Sequence, residues 1–185
     1  MEIVTSQASR GFKGPAVILF DAIIAAPTVA ARDACPGDIL EVSTLSGTPH
    51  QVGHVAAVRV HWGLLDLHLT ETITAHERPS HISISRLPMG ASPYDPAERL
   101  PPPGTELFPN PERTFQRAFG TDPVSQIFHF TLRQRDVETV LEISWGVSKR
   151  RRLTAWGNRR DSRHLASELE AMLDAIFARA TARLG

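Results

Sequence analysis

Apolar residues near the end of the chain recur at spacings of three and four, which is typical of an amphipathic helix. The members of this stripe are Leu165, Leu169, Met172, Leu173, Ile176, Phe177, Ala180 and Leu184. Asp161 or Ser162 suits the first turn, and Arg179 and Arg183 suit the negative end of the helix dipole. The pattern predicts one long helix over Asp161–Leu184, and its apolar face must be buried against another element.

Earlier in the chain, apolar residues alternate with polar ones, which is typical of strands that are buried on one face. The predicted strands are Ile39–Leu45, Val52–Trp62, a run beginning at Leu65, His81–Arg86, and runs around Phe128–Leu132 and Leu141–Val147. The run Ala16–Ile24 (AVILFDAII) is apolar on both faces, so it is predicted to be a buried first strand. A short helix is predicted over Thr28–Ala34. These elements predict an α+β protein, with a seven-stranded antiparallel sheet covered by the terminal helix.

Two segments show neither pattern. Residues 1–14 are predicted to be a flexible tail ahead of a single domain over 15–185. The segment Leu87–Pro123 holds nine of the chain's 14 prolines. Because proline lacks a backbone donor, we expect a Pro-rich insertion without strands before the sixth strand, lying over a cavity mouth or a neighbouring subunit.

Charge and cysteine content exclude several classes of protein. The chain has 20 basic and 20 acidic residues, so its net charge does not indicate a nucleic acid or a membrane as partner. The segment 149–163 holds seven bases and one acid, which fits either a phosphate-bearing partner or, as we favour, a solvated loop. The single cysteine, Cys35, excludes an internal disulfide. Asp21 interrupts the run that most resembles a signal peptide, so we expect a cytoplasmic protein.

The order of these elements resembles the START-related superfamily (SRPBCC), which includes polyketide cyclases, aromatase-like proteins and pollen-allergen relatives. The resemblance is carried by Val17–Pro27, Gly53–Ser85 and Phe128–Leu184, with the turn Ala75–Pro79 between the fourth and fifth strands. It implies a curved seven-stranded antiparallel sheet that grips the C-terminal helix (a helix-grip fold), with a cavity between them. The helical stretch after the first predicted strand is shorter than in the superfamily, and the Pro-rich insertion is longer.

The implied cavity suggests a set of ligand-binding residues on the inner face of the sheet and on the helix. They are Val58, Leu67, Leu69, Phe128, Phe130, Trp145, Met172 and Ile176. The alternative interpretation is that these residues, together with Phe177, simply form the core. We expect a hydrophobic or aromatic small molecule as ligand.

One polar pair is predicted on the same inner face. If Trp62-Gly63 forms a two-residue turn, His54 faces Glu71 across the hairpin, about 5 Å away. An imidazole beside a carboxylate can act as a general base or orient a polar ligand. The pair is therefore the catalytic candidate for a cyclase- or dehydratase-type enzyme. The alternative is a structural pair at half-solvated strand ends.

No other motif indicates chemistry. The eight histidines lack metal-ligand spacing, and neither a phosphate-binding glycine loop nor a dinucleotide fingerprint is present. We therefore expect no metal and no cofactor. Three hypotheses remain open: a binding module, an enzyme, and a protein-interaction module that uses Leu100, Leu107 and Phe108 of the insertion. A homodimer also remains open.

Overall fold

The computed structural model describes residues 2–24, 39–62, 65–93, 125–149 and 155–184. The strands are β1 (Glu2–Phe12), β2 (Ile39–Ser46), β3 (Val55–Trp62), β4 (Leu65–Glu77), β5 (His81–Pro93), β6 (Gln126–Arg135) and β7 (Glu138–Lys149). The described helices are α1 (Ala16–Ile24) and α2 (Ala155–Ala182). The strands form one antiparallel sheet in the order β1-β7-β6-β5-β4-β3-β2, so strands that follow each other from β2 to β7 are neighbours.

The core lies between one face of this sheet, here called the inner face, and the two helices. Helix α2 packs on β1, β7 and α1. Leu169, Met172, Leu173, Ile176 and Ala180 of the predicted stripe are fully buried and Phe177 is partly buried, which confirms most of the apolar face. Leu184 was wrongly included, because it lies beyond the end of α2 and is 50% exposed. The sheet contributes alternate residues, among them Phe128, Phe130, Leu141, Ile143 and Trp145. The predicted architecture, an antiparallel sheet of seven strands with a C-terminal helix, is confirmed.

The N-terminal segment is an edge strand, so the expectation of a flexible tail was wrong. Strand β1 pairs with β7 from Glu2↔Lys149 to Phe12↔Thr139. Phe12 points inward and packs edge-on against Phe177 of α2, with ring centroids 5.6 Å apart. The segment has few apolar residues because its outer face meets solvent, and a polar edge strand is hard to tell from a loop by pattern.

Helix α1 replaces the buried strand that was predicted over Ala16–Ile24. Its buried residues are Leu19, Phe20, Ala22 and Ile23, which suit one face of a helix. Asp21 points away from them and forms an ion pair with Arg78, with Nη2 and Oδ1 2.9 Å apart. Because the run is apolar almost throughout, periodicity did not distinguish a short buried helix from a buried strand. The count of seven strands was right, but β1 takes the place of this run.

The hairpin between β3 and β4 differs from the prediction by two positions. Val60 pairs with Leu67 rather than with Leu65, and Glu71 pairs with Ala56 rather than with the expected His54. Side chains in a strand alternate with a period of two. The shift therefore changes every cross-strand partner but leaves the same residues on the inner face.

Strand β5 is longer than predicted, since it runs to Pro93 and includes the first residues of the segment read as an insertion. Pro88 lies across from Leu69, next to a bulge at Met89 of β5, where the ladder is already irregular. Helix α2 begins at Ala155, ahead of the expected Asp161. Residues 94–123 of the insertion and the helix predicted over Thr28–Ala34 lie outside the described residues.

Among the described residues, no helix is both long enough and apolar enough to span a membrane.

Candidate functional site

Three polar side chains form a row across the inner face, each on a different strand. Glu71 of β4 pairs in register with Arg86 of β5, which pairs with Gln126 of β6. Arg86 Nε donates a hydrogen bond of 2.9 Å to Glu71 Oε1, and Arg86 Nη1 donates one of 3.3 Å to Gln126 Oε1. The guanidinium also lies over the ring of Phe128, 5.0 Å from its centroid. The row is therefore held by an ion pair, an amide and an aromatic face.

The ion pair is removed from water, and one of its oxygens has no partner. Glu71 is 3% exposed and Arg86 is 1% exposed. Among the described residues, Glu71 Oε2 is buried without a hydrogen-bond partner. Burial raises the pKa of Glu71 above its ordinary value, while the charge and hydrogen bond of Arg86 oppose that rise. A buried acceptor without a donor is unfavourable by about 1–3 kcal/mol, so this oxygen requires an explanation.

His54 lies on the inner face as predicted, but not directly across from Glu71. Its backbone carbonyl accepts a hydrogen bond from Ile73 N at 3.1 Å, which places it beside the next inward residue of β4. Its Nε2 lies 3.2 Å from Thr44 Oγ1 of β2. The predicted cross-strand pair was therefore wrong in register, although both side chains are buried on the same face.

A small cavity brings His54 and Glu71 together. Its lining is otherwise mostly apolar, with Ile23, Ile24, His50, Ala56, Ile73, Ile82 and Ile84 completing the wall. Arg86 is not among the residues that line it. The cavity measures about 20 Å³, which is room for one water molecule. Glu71 therefore belongs to the wall of a largely apolar cavity that, as it stands, accepts a group no larger than water.

The predicted ligand-binding residues fall into two groups, and none of them lines this cavity. Five lie in the packed core with the helices: Phe128, Phe130, Trp145, Met172 and Ile176. Phe128 and Trp145 stack with their centroids 5.0 Å apart. The other three, Val58, Leu67 and Leu69, are buried on β3 and β4 outside that cluster. The indole Nε1 of Trp145 is also buried and has no hydrogen-bond partner among the described residues, but it lies in the packed group.

A second cavity of about 300 Å³ lies on the opposite, outer face of the sheet. Its lining mixes charged and apolar side chains from β2 to β5, with apolar atoms making up most of its surface: Glu41, Ser43, Ala57, Val58, Arg59, His68, Leu69, Thr70 and Met89. Arg59 lies between two carboxylates, with Nη1 3.5 Å from Asp66 Oδ2 and Nε 3.8 Å from Glu41 Oε2. Its charge is therefore already balanced by protein groups.

Two histidines on the outer face share one hydroxyl group. Ser83 Oγ lies 2.8 Å from His81 Nε2 and 2.6 Å from His129 Nδ1, and the two rings are nearly parallel. Burial lowers the pKa of His129, and the neighbouring His81 lowers it further. Ser83 is itself buried, so this cluster presents no open nucleophile. In the part of the chain that the structure describes, no group of three or more His, Cys, Asp or Glu side chains could hold a metal ion.

Arg86 and Gln126 were missed by the sequence reasoning, although a signal for Arg86 was present. The alternation of Ile82 and Ile84 continues to Arg86, which places a charge on the buried face. A buried charge needs a partner, and Glu71 is the acid on the inner face of the neighbouring strand. Cys35 and residues 150–154 of the basic segment lie outside the described residues.

Comparisons with known proteins identify the fold. No family model matches the chain, and no curated protein matches its sequence. Among solved structures it is similar to Ara h 8.0201, with a TM-score of 0.60 and 13% identity over 98% of this chain and 99% of that chain. It is also similar to the major latex-like protein 151 of Panax ginseng, with a TM-score of 0.54 and 12% identity over 96% and 97% of the two chains.

A third similar structure is SA2116, a protein of unknown function from Staphylococcus aureus, with a TM-score of 0.62 and 9% identity over 99% of this chain and 96% of that chain. Identities this low show the fold alone. The chain therefore has the helix-grip fold, as its resemblance to the START-related superfamily predicted.

Proposed function

We propose that this helix-grip protein binds a hydrophobic or aromatic small molecule at the inner-face cavity beside Glu71. The observation that carries the proposal is Glu71, which lines a largely apolar cavity and whose buried Oε2 lacks a hydrogen-bond partner among the described residues. Ligand sites in proteins combine an apolar lining with a few convergent polar groups. A bound molecule would supply a contact that the described residues do not.

The cavity must widen to accept such a molecule, because ligand sites generally measure about 300 Å³ or more. Ile23 and Ile24 lie at the C-terminal end of α1, and His50 lies in the exposed turn before β3. Movement of these groups away from β4 would enlarge the cavity. The site proposed here thus lies beside α1, rather than among the five aromatic and aliphatic residues that pack with α2.

The outer-face cavity is larger, but it supports this function less well. Its lining holds Arg59, Glu41 and His68, and it lies on the face of the sheet away from the core. This cavity is also the more open of the two, so an apolar molecule there would keep more of its surface in contact with solvent. The enclosed inner wall of isoleucines offers the stronger hydrophobic contribution.

A blocking variant tests the proposal. Native mass spectrometry of the purified protein should detect a bound small molecule, and the protein should bind naphthalene-type fluorescent probes. Ile24→Trp places an indole at the cavity wall and should abolish both signals. Val17→Trp is the matched control, because Val17 lies on the exposed side of the same helix. Equal probe binding by the two variants would contradict the proposed site.

A second candidate is an enzyme of the cyclase or dehydratase type. It is favoured by one observation, that His54 and Glu71 border the same cavity. For this function His54→Ala and Glu71→Gln should lower probe binding in a non-additive way. The interaction-module hypothesis depends on residues 94–123, outside the described residues, and stays a prediction, as does a homodimer.

A further inference from the structure

We propose that the ligand presents a hydrogen-bond donor to Glu71, so that the protein selects hydrophobic molecules bearing a hydroxyl or N–H group over carboxylates of the same shape. This inference rests on the proposed function and deepens it, because it specifies the polar chemistry of the ligand.

The first step is the placement of the two charges of the buried pair. Glu71 lines the cavity and Arg86 does not. The guanidinium is engaged by Glu71 Oε1 and Gln126 Oε1, and it lies over the ring of Phe128. An anionic ligand entering the cavity therefore meets a carboxylate before it can approach the arginine. Two carboxylates in contact within a low-dielectric site repel each other, so a carboxylate ligand is excluded.

The second step is the hydrogen-bonding capacity of the wall. The Oε2 atom of Glu71 is an acceptor without a donor among the described residues. His54 lies on the same wall, but its Nε2 is within hydrogen-bond distance of Thr44 Oγ1. His50 is exposed and lies in the turn before β3, so solvent reaches it. The unmet requirement inside the cavity is therefore for a donor, and a hydroxyl or N–H satisfies it.

The third step is size. A cavity of about 20 Å³ accepts a group of the size of water, which a hydroxyl or amine matches. A carboxylate is larger and brings two oxygens. The existing cavity has room for the polar head group of the ligand, and the apolar body requires Ile23 and Ile24 to move.

Three probes that share one apolar body test the inference: naphthol, naphthoate and naphthalene, titrated into the wild-type protein near neutral pH by calorimetry. We expect naphthol to bind at least about tenfold more tightly than naphthalene, because a hydrogen bond to a charged group contributes about that much. We expect naphthoate to bind more weakly than naphthalene.

The outcomes separate the inference from the proposed function. If none of the three probes binds, the proposed function itself fails. If the probes bind but naphthoate binds as tightly as naphthol or more tightly, the cavity prefers a hydrogen-bond acceptor and the inference is overturned. If naphthol and naphthalene bind equally, water alone satisfies Oε2 and the inference is again overturned, while hydrophobic binding stands.

Two variants assign the preference to Glu71. The double variant Glu71→Gln/Arg86→Met removes both charges together, so neither is left buried alone, and it should reduce the preference for naphthol over naphthoate at least about fivefold. Ile24→Ala is the matched control, because it widens the cavity without changing its polar wall. It should tighten all three probes and keep their order. Retention of the full preference by the double variant would overturn the role of Glu71.

Discussion

The two halves of the inner face are buried to a similar extent by different means. Around α2, the half formed by β1, β6 and β7 is filled with apolar side chains such as Phe130, Ile143 and Leu173. Across β3, β4 and the second part of β5, the inner face holds His54, Glu71 and Arg86 beside a small cavity. The first half depends on apolar area, which is non-directional. The second depends on the pairing of Glu71 with Arg86. A substitution that removes one of these two charges is therefore expected to lower stability more than a substitution in the first half.

The largest expected effect is in the polar half. Glu71→Leu leaves Arg86 buried without its carboxylate, and removal of one partner of a buried ion pair costs about 3–5 kcal/mol. Urea unfolding should show a loss of this size. Glu71→Leu/Arg86→Met should recover most of it, because neither charge then remains. If the double variant is no more stable than the single one, the pair is not the reason for the loss.

The next effect is in the apolar half. Leu173→Ala in α2 should lower the free energy of unfolding by about 2–5 kcal/mol, as large-to-small changes in a core do. Leu184→Ala is the control near the end of the same segment, since Leu184 is 50% exposed and should change stability little. A midpoint shift near zero for Leu173→Ala would mean that α2 contributes little to this half.

The smallest expected effect on stability lies outside both halves, at His129 on the outer face, and it depends on pH. The pKa of His129 is lowered in the folded protein, so the unfolded chain binds this proton more tightly. The stability from neutral His129 is present above the unfolded value of 6.5 and is lost as the pH falls below it towards the folded pKa. His129→Gln should therefore reduce the loss of stability on acidification. Above this pH range, the urea midpoints of the variant and the wild type should depend on pH in the same way, whereas below it the midpoint of the variant should fall less steeply. An equally steep fall in both proteins would refute the assignment.

The sequence predicted which residues face inward, because alternation in strands and the spacing of apolar residues in helices determine this. The inward positions Ala56, Val58, Leu67 and Leu69 were assigned correctly because one pattern of apolar residues fixes a face. The stripe through Leu169 and Leu173 was assigned for the same reason. Register was not predicted, because the connection lies one residue further along the chain, between Trp62 and Leu65, and this displacement keeps every face and changes every partner. His54 consequently faced Glu71 in the prediction and lies beside Ile73 in the structure.

Other differences arise from context that no local pattern carries. Ala16–Ile24 is a helix because it is covered by α2 and β6, and its own residues suit either element. Strand β1 exists because β7 offers a free edge to it. The row of Glu71, Arg86 and Gln126 depends on three strands being brought into register. Such a site is set by tertiary structure: the sequence analysis placed Glu71 on the inner face, but it missed Arg86 and Gln126.

The pairing of β1 with β7 has a consequence for how the chain is made. Strand β1 is made before Glu138–Lys149, its neighbour in the sheet formed by the described strands, and before α2, which it also contacts. Strands β2 to β5 can assemble as successive hairpins while synthesis continues. Glu2–Phe12 cannot pair with β7 until Glu138–Lys149 has emerged, and loop closure over that distance is slow. Its polar outer positions, which hide it from pattern recognition, also keep it soluble during this delay.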